Sequence, residues 1–193
     1  MSEPAYTRLD VEERRRRLLE LGTTLFARHD YDALSIAAIA REAGISKALL
    51  YHYFPSKQAY FTATLEQKAA ELARRIAPDP ALAPAEQLAT SVGAFLGWVE
   101  ENGDAYAKLV RGAGAVPEVR EVMEAVREAT AEQILAGLPG PPTPTRRTAV
   151  SAWLWFMDGA ILDWLEHRDL TRVEVKALVL RALEGALGEP LEL

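Results

Sequence analysis

Cysteine is absent from this chain of 193 residues, which excludes disulfides, thiolate nucleophiles and cysteine-ligated zinc or iron–sulfur sites. Long apolar runs are absent as well. No segment without a charged residue is longer than 13 residues, and one of the two of that length, 133–145, contains four prolines and two glycines, whereas a membrane span needs roughly 18 apolar residues. Only Leu18 and Leu19 separate the basic run 14–17 from Glu20, so a secretory signal has no apolar core. We therefore expect a cytoplasmic protein that neither spans nor crosses a membrane.

Positive charge is scarce overall, because 22 Lys and Arg stand against 28 Asp and Glu and the net charge is −6. The balance is uneven: residues 1–60 carry 9 basic and 8 acidic side chains (+1), and the remainder carries 13 and 20 (−7). No acidic residue lies between Glu42 and Glu66, a window that contains Lys47 and Lys57. The net charge excludes a protein that coats nucleic acid with a uniformly basic surface. The window between Glu42 and Glu66 can nevertheless approach phosphate without repulsion.

β-branched and aromatic residues rarely alternate along the chain, whereas alanine and leucine dominate, so we predict an all-α fold. Prolines divide the helices because they remove a backbone donor and clash with the preceding turn. We predict a helix-turn-helix domain over 8–66, with its motif at 34–53, and a second helical domain over 67–193. The nine predicted helices cover 8–29, 35–42, 46–53, 56–77, 85–101, 103–112, 117–138, 145–167 and 171–187.

The first predicted helix carries an apolar stripe at helical spacing, which we expect to pack on the next two helices. Its members are Val11, Leu18, Leu21, Gly22, Leu25 and Phe26. The basic run 14–17 cannot form one binding face, because four consecutive residues point all round a helix.

Segment 35–57 has the features of two short helices joined by a tight turn. Ser35 and Ser46 are good N-caps, and Gly44 can adopt the left-handed conformation that ends a helix. The face of the first short helix that we expect to be buried consists of Ile36, Ile39, Ala40 and Ala43. Such a pair forms a helix-turn-helix, whose second helix enters the major groove of DNA.

The second short helix has more outward aromatic and basic side chains than a solvated surface needs. We expect Leu50 and Phe54 to point inward. The remaining outward residues are Lys47, Ala48, Leu49, Tyr51, His52 and Tyr53. Taken singly, Ser46 could be only a cap, Gly44 only a turn, and Tyr51 and Tyr53 only packing aromatics, but together and in this order they favour DNA binding.

The segment resembles the tetracycline-repressor (TetR) family of bacterial regulators. The family pattern is hydroxyl-x-x-x-Ile-Ala-x-x-Ala-Gly-Ile/Val-Ser-Lys-x-x-Leu-Tyr-x-Tyr/His-Phe-x-x-Lys, and residues 35–57 match it almost throughout. The resemblance implies a fold of nine or ten helices, in which a divergent helical domain dimerises and usually holds an effector. It therefore implies a ligand-responsive repressor that binds double-stranded operator DNA.

The resemblance also implies roles for single residues. Lys47 and Ala48 would approach base edges and the adjacent backbone, and Tyr51 and Lys57 would contact phosphates. Other side chains that would face DNA or its phosphates are Ser35, Ser46, His52 and Tyr53. Leu49 departs from the usual small or hydroxylated residue, and we expect it to contact a thymine methyl group.

The last two predicted helices, 145–167 and 171–187, are apolar over most of their circumference, so we expect them to form the interface of a homodimer. Twofold symmetry then predicts a near-palindromic operator with half-sites about 34–36 Å apart. Gly159 and Ala160 allow close helix packing, either at this interface or within the chain.

An effector pocket is predicted around one carboxylate, although most of its residues could be ordinary core. Aromatic side chains and a methionine beside a single carboxylate suit an apolar ligand with a donor or cationic group. The candidates are Phe95, Trp98, Tyr106, Val122, Met123, Val126, Trp155 and Asp158. No cofactor is predicted.

Catalytic patterns are weak. Asp163 and His167 are four residues apart, as in a metal pair, but without a third ligand we predict an ion pair and no metal site. The sequence contains no glycine-rich phosphate loop, nucleophile elbow or helical His-Glu-x-x-His motif, so we expect no enzyme. Two alternatives stay open: a ligand-binding protein that has lost DNA binding, and a small enzyme using Asp158, Asp163 or His167.

Overall fold

A computed structural model describes residues 5–112, 116–188 and 190–191, in which eight α-helices and a single 3-10 turn (Tyr31–Ala33) form and no strand is present. The all-α prediction is confirmed. The helices are α1 (Ala5–Arg28), α2 (Ile36–Glu42), α3 (Lys47–Tyr53), α4 (Lys57–Arg75), α5 (Pro84–Gly112), α6 (Pro117–Gly137), α7 (Pro144–His167) and α8 (Arg172–Leu187). In this part of the chain no helix has the length and hydrophobicity needed to cross a membrane.

The described helices number eight rather than the predicted nine, because segments 85–101 and 103–112 belong to one element, α5. That helix is broken at Asn102, which has φ −127° and ψ 26°, at the position where the sequence predicted a boundary. The Asn102 side chain donates from Nδ2 to the carbonyl of Trp98 at 2.9 Å, and such side-chain to backbone bonds compete with regular helix geometry.

The chain divides into two compact units, Met1–Ala70 and Glu71–Leu193, with the division inside α4. In the first unit, α1 and α4 approach so closely that only glycine fits at position 22. A Cβ atom there would lie 2.5 Å from Thr64 Oγ1 and 2.9 Å from the Tyr60 hydroxyl oxygen. That hydroxyl is fixed, since it donates to the carbonyl of Leu18 at 2.6 Å.

The buried stripe of α1 begins later than the sequence predicted. Val11 is exposed and Leu21 is only half-buried, whereas Leu18 and the unpredicted Leu19 are buried. An apolar stripe in the sequence indicates which face of a helix can be buried. A residue of the stripe is buried only where another element packs against it.

The basic run points in several directions, as predicted. Arg16 and Arg17 bind Glu13 at 2.8 Å and 2.7 Å, and the Arg15 guanidinium carbon lies 5.4 Å from the centroid of the Phe54 ring.

The second unit packs α5, α6, α7 and α8 around one apolar core. Two indole groups fix α7 relative to the segment that follows it: Trp153 Nε1 donates to the carbonyl of Val179 at 2.6 Å, and Trp164 Nε1 donates to that of Leu170 at 2.8 Å. The buried members of this core are Val92, Leu96, Val99, Tyr106, Val150, Trp153, Leu154, Ile161, Trp164, Val175, Val179, Leu180 and Leu183.

Candidate nucleic-acid interface

The turn between α2 and α3 is built by backbone hydrogen bonds around Gly44. This glycine has φ +65°, and its amide donates to the carbonyl of Arg41 at 3.1 Å. The amide of Ile45 reaches back to the carbonyl of Ala40 at 3.0 Å. The two bonds form a Schellman motif, which ends α2 and reverses the chain toward α3.

Both short helices begin at a serine that accepts a backbone hydrogen bond. Ser35 Oγ accepts from the amide of Ala38 at 3.1 Å, and Ser46 Oγ accepts from the amide of Leu49 at 3.1 Å. A cap of this kind stabilises a helix by about 1 kcal/mol, which matters for helices of seven residues. Both serines are exposed.

Burial fixes the orientation of α3. Leu50 and Phe54, the two residues predicted to point inward, are 0% and 2% exposed. The buried face of α2 is narrower than predicted, since Ile39 and Ala40 are buried but Ile36 and Ala43 are half-buried.

The opposite side of α3 holds the residues that the sequence predicted to face DNA. Lys47, Ala48, Tyr51 and His52 are exposed, and at 100° per residue they share an arc of roughly 140°. Leu49 and Tyr53 are half-buried at the flank. The Tyr53 and His52 rings meet edge to face, with centroids 5.6 Å apart. The exposed face therefore combines one cation with hydrogen-bonding aromatic side chains.

Lys57, predicted to contact phosphate, is half-buried at the first position of α4. Its Nζ donates to the carbonyl of Tyr31 at 2.9 Å and lies 4.0 Å from the centroid of the Tyr31 ring. The sequence offered no signal for this contact, because the two residues are 26 positions apart.

Ser56 caps α4 in the same way as the serines before it, accepting from the amide of Ala59 at 2.9 Å.

The predicted effector cluster contains a closed hydrogen-bonding network in place of a free carboxylate. Asp158 on α7 accepts from the Tyr106 hydroxyl at 2.6 Å and from Arg127 Nη2 at 2.6 Å and Nε at 3.2 Å. Burial, together with the Asp158 carboxylate, raises the pKa of Tyr106, so its hydroxyl stays protonated and can donate. Sequence analysis missed Arg127, which neutralises the charge that a cationic ligand was expected to meet.

The aromatic candidates are only partly gathered around this network. Phe95 and Trp98 contact the Tyr106 ring, with centroids 5.8 Å and 6.4 Å away. Trp155 is 60% exposed and stacks on Arg127, whose guanidinium carbon lies 3.9 Å from the indole centroid. Of the remaining candidates on α6, Val126 is exposed, and Val122 and Met123 are half-buried.

Asp163 and His167 form the exposed pair that the sequence predicted, with Nδ1 and Oδ1 3.4 Å apart. A hydrogen bond to the Asp163 carbonyl, followed by the Asp163 carboxylate, raises the pKa of His167. Among the described residues, no three His, Cys, Asp or Glu side chains lie close enough to hold a metal ion.

Comparison with known proteins matches both units to one family. Residues 18–64 match the model described as bacterial regulatory proteins, tetR family, and residues 84–184 match a tetracycline repressor-like C-terminal domain. A tetR-family transcriptional regulator from Streptomyces coelicolor, known as a crystal structure, is 30% identical with a TM-score of 0.76. The match covers 92% of this chain and 81% of that one.

Curated relatives match over shorter stretches. The HTH-type transcriptional regulator HbdR of Aromatoleum sp. is 32% identical over 117 residues, which are 58% of this chain and 50% of that protein. An HTH-type transcriptional regulator of Mycobacterium tuberculosis is 35% identical over 88 residues, or 45% and 44% of the two chains. The chain thus spans about half the length of these relatives. Because the two family models together extend from the helix-turn-helix through most of the second unit, the chain belongs to the tetracycline-repressor family of bacterial regulatory proteins.

Proposed function

We propose that this protein is a homodimeric transcriptional repressor that reads operator DNA with α3. The observation that carries the proposal is the division of α3 into an anchored side, with Leu50 and Phe54 buried, and an exposed side that displays Lys47, Tyr51 and His52. A helix held in this way can enter a major groove without losing its own packing. We also propose that the protein acts in the cytoplasm and has no catalytic role.

Contact types follow from the chemistry of each side chain. Lys47 and Ala48, in the first turn of α3, would approach base edges, and Leu49 would contact a thymine methyl group. Phosphates would be bound by Tyr51, His52 and Tyr53 and by the capped helix ends at Ser35 and Ser46.

The proposal is tested by incubating the purified protein with fragmented genomic DNA and sequencing the fragments that stay bound at moderate salt. Enrichment of a near-palindrome is expected. Salt-insensitive absence of DNA binding, also in the presence of cell extract, would instead support a ligand-binding protein whose helix-turn-helix is vestigial.

Leu49→Ala is expected to change which base pairs are preferred. Removing the isobutyl group deletes an apolar contact worth roughly 1–3 kcal/mol of base discrimination, while random DNA is bound almost as before. The measurement is competition binding of the enriched operator and of random duplex at one salt concentration. Equal losses on both DNAs would refute the role of Leu49 in base recognition.

Exposed apolar side chains on α7 and α8 support a homodimer through these two helices. Trp155 and Phe156 flank Gly159 on the outer side of α7, and Leu178 is 37% exposed on α8. Two copies related by a twofold axis would bury these side chains and present two α3 helices to successive major grooves.

Leu178→Glu is expected to convert the dimer into a monomer, because it would bury two charges at the symmetric interface without partners. Val173→Glu is the matched control: Val173 is 74% exposed on the same helix but lies roughly 140° away around its axis. Sedimentation velocity at micromolar concentration measures the change. Dissociation of the Val173→Glu variant together with an intact Leu178→Glu dimer would assign the interface to the other side of α8.

Ligand response completes the proposal. An apolar effector would bind among the aromatic side chains of the second unit, such as Phe95 and Trp98. It would shift the dimer between a form in which the spacing of the two α3 helices matches that of successive major grooves and a form in which it does not. A coupling of roughly 1–3 kcal/mol is typical of such switches. The test is operator affinity in the presence of each apolar metabolite that binds the protein, and insensitivity to all of them would remove the switch while DNA binding stands.

A further inference from the structure

One tryptophan of the second unit lies on its surface. Trp153 and Trp164 are buried and Trp98 is half-buried, whereas Trp155 on α7 is 60% exposed. Tryptophan is enriched where protein surfaces meet, and it is among the residues that contribute most to binding there. Trp155 is therefore the residue of α7 from which we expect the largest contribution to the proposed dimer.

The exposed indole of Trp155 does not turn freely, because an arginine of α6 covers one of its faces. The guanidinium carbon of Arg127 lies 3.9 Å from the indole centroid. At this distance the guanidinium attracts the ring as a cation and also packs against it as a planar group. The contact joins α6 to the exposed side of α7.

Arg127 is in turn fixed from the interior of the second unit. Its Nη2 and Nε donate to Asp158 Oδ2 at 2.6 Å and 3.2 Å, and the Tyr106 hydroxyl donates to Oδ1 of the same carboxylate at 2.6 Å. The Arg127 and Asp158 side chains are only 13% and 12% exposed. Because breaking this ion pair would leave a buried charge without a partner, the guanidinium keeps its place whether or not a second copy is bound.

The spacing on α7 allows one guanidinium to make both contacts. Trp155 and Asp158 are three positions apart, so their side chains are neighbours on the helix surface. The core of the protomer thus orients the exposed indole before any dimer forms. Ordering a mobile side chain at an interface weakens binding by a factor of roughly 2–12, and a side chain that is ordered beforehand avoids this loss.

We infer that Arg127 is a positioning residue for the dimer surface: held by Asp158, it presents the Trp155 indole in a fixed orientation to a second copy of the chain. The inference rests on the proposed homodimer through α7 and α8. It adds a residue of a third helix, α6, which strengthens the dimer without having to contact the partner. A change at the buried Asp158 carboxylate would reach the dimer surface through this one side chain.

The experiment is sedimentation equilibrium of the full-length protein over a dilution series, which gives the dissociation constant of the dimer. Arg127→Lys keeps a positive charge beside Asp158 but loses the planar group that covers the indole. It is expected to raise the dissociation constant roughly 5–150-fold, because a twofold dimer contains the contact twice. Trp155→Leu is expected to raise it at least about tenfold. Adding Arg127→Lys to Trp155→Leu should then have no further effect, since no indole is left to position.

Two controls separate the positioning of Trp155 from a general effect on the dimer. Arg120→Lys makes the same exchange on the same helix, where Arg120 pairs with Glu124 on the exposed surface, and it should leave the dissociation constant unchanged. Phe156→Leu removes the neighbouring exposed aromatic side chain, which lies about 100° further round α7. Its effect should add to that of Arg127→Lys.

A further variant combines Tyr106→Phe, Arg127→Leu and Asp158→Leu. It removes the guanidinium together with the buried polar groups beside it, so that no charge is left unpaired. It should show the same weakening of the dimer, and it takes the place of Arg127→Lys if that variant does not fold, as judged by circular dichroism.

Undiminished dimer affinity in Arg127→Lys, or an equal effect of Arg127→Lys with and without Trp155, would overturn the inference while the proposed interface stands. A wild type that stays monomeric, or a Trp155→Leu variant with full dimer affinity, would overturn the proposed interface and the inference together.

Discussion

Asp158→Leu is expected to lower the free energy of unfolding by about 3–5 kcal/mol, the largest effect of any single substitution considered for this chain. Leucine is larger than aspartate and cannot accept hydrogen bonds. The guanidinium of Arg127 and the hydroxyl of Tyr106, which bind Asp158 at 2.6 Å each, would lose their acceptor where the Arg127 and Asp158 side chains are only 13% and 12% exposed. Urea unfolding monitored by circular dichroism measures the loss.

Two further variants separate this loss from a general sensitivity of α7. Asp163→Leu removes a carboxylate from an exposed position of the same helix, and we expect a change within about 0.5 kcal/mol. Adding Arg127→Met and Tyr106→Phe to Asp158→Leu removes the unpaired donors and should recover most of the stability, because well-packed apolar groups often replace a buried ion pair without loss. A triple variant as unstable as the single one would contradict this explanation.

Gly22→Ala is expected to destabilise the first unit by about 1–3 kcal/mol, the usual range for an added methyl group in a packed core. The added carbon would meet Thr64 Oγ1 at 2.5 Å and the Tyr60 hydroxyl at 2.9 Å. Neither atom can move away easily, since Tyr60 bonds to the carbonyl of Leu18 and Thr64 bonds to that of Tyr60. The clash outweighs the roughly 1 kcal/mol that alanine gains over glycine in a helix. Thermal unfolding of the full chain measures the net change.

The control for Gly22→Ala is Thr24→Ala. Thr24 lies two residues further along α1 but is exposed, so this substitution should change the free energy of unfolding by no more than about 0.5 kcal/mol. Thr64→Ala removes the atom nearest to the added carbon, so its combination with Gly22→Ala should lose less stability than the two single variants lose together. Additive losses would show that the destabilisation does not come from this contact.

Local chemistry explains which parts of the fold could be predicted from the sequence. Ser35, Gly44 and Ser46 act through atoms within five residues of themselves, so their residue types alone indicated two capped helices and the turn between them. The inward positions of Leu50 and Phe54 followed from helical periodicity for the same reason. The predicted boundary between 101 and 103 also has the right position, because the backbone of Asn102 is not helical and kinks α5 there.

Contacts between distant segments could not be predicted in the same way. In the sequence, Arg127 is one of several charged residues on an amphipathic helix, and nothing marks it as different. Only the packing of α6 against α7 shows that it neutralises Asp158, 31 positions away. The contact of Lys57 with Tyr31 has the same character. Such pairs depend on how helices cross, and a single sequence contains no periodicity that reports a crossing.

The separation of α3 into a buried side and an exposed side determines how the sequence of this regulator can diverge or be redesigned. The helix is maintained by its Ser46 cap and by Leu50 and Phe54 on the buried side, whereas the exposed positions 47, 48, 51 and 52 contribute little to folding. Surface substitutions away from caps and cores usually change stability by no more than about 0.5 kcal/mol. If α3 reads operator DNA as we propose, operator preference can be changed at these four positions while the scaffold stays folded, and a duplicated copy could acquire a new operator by exchanges on this face alone.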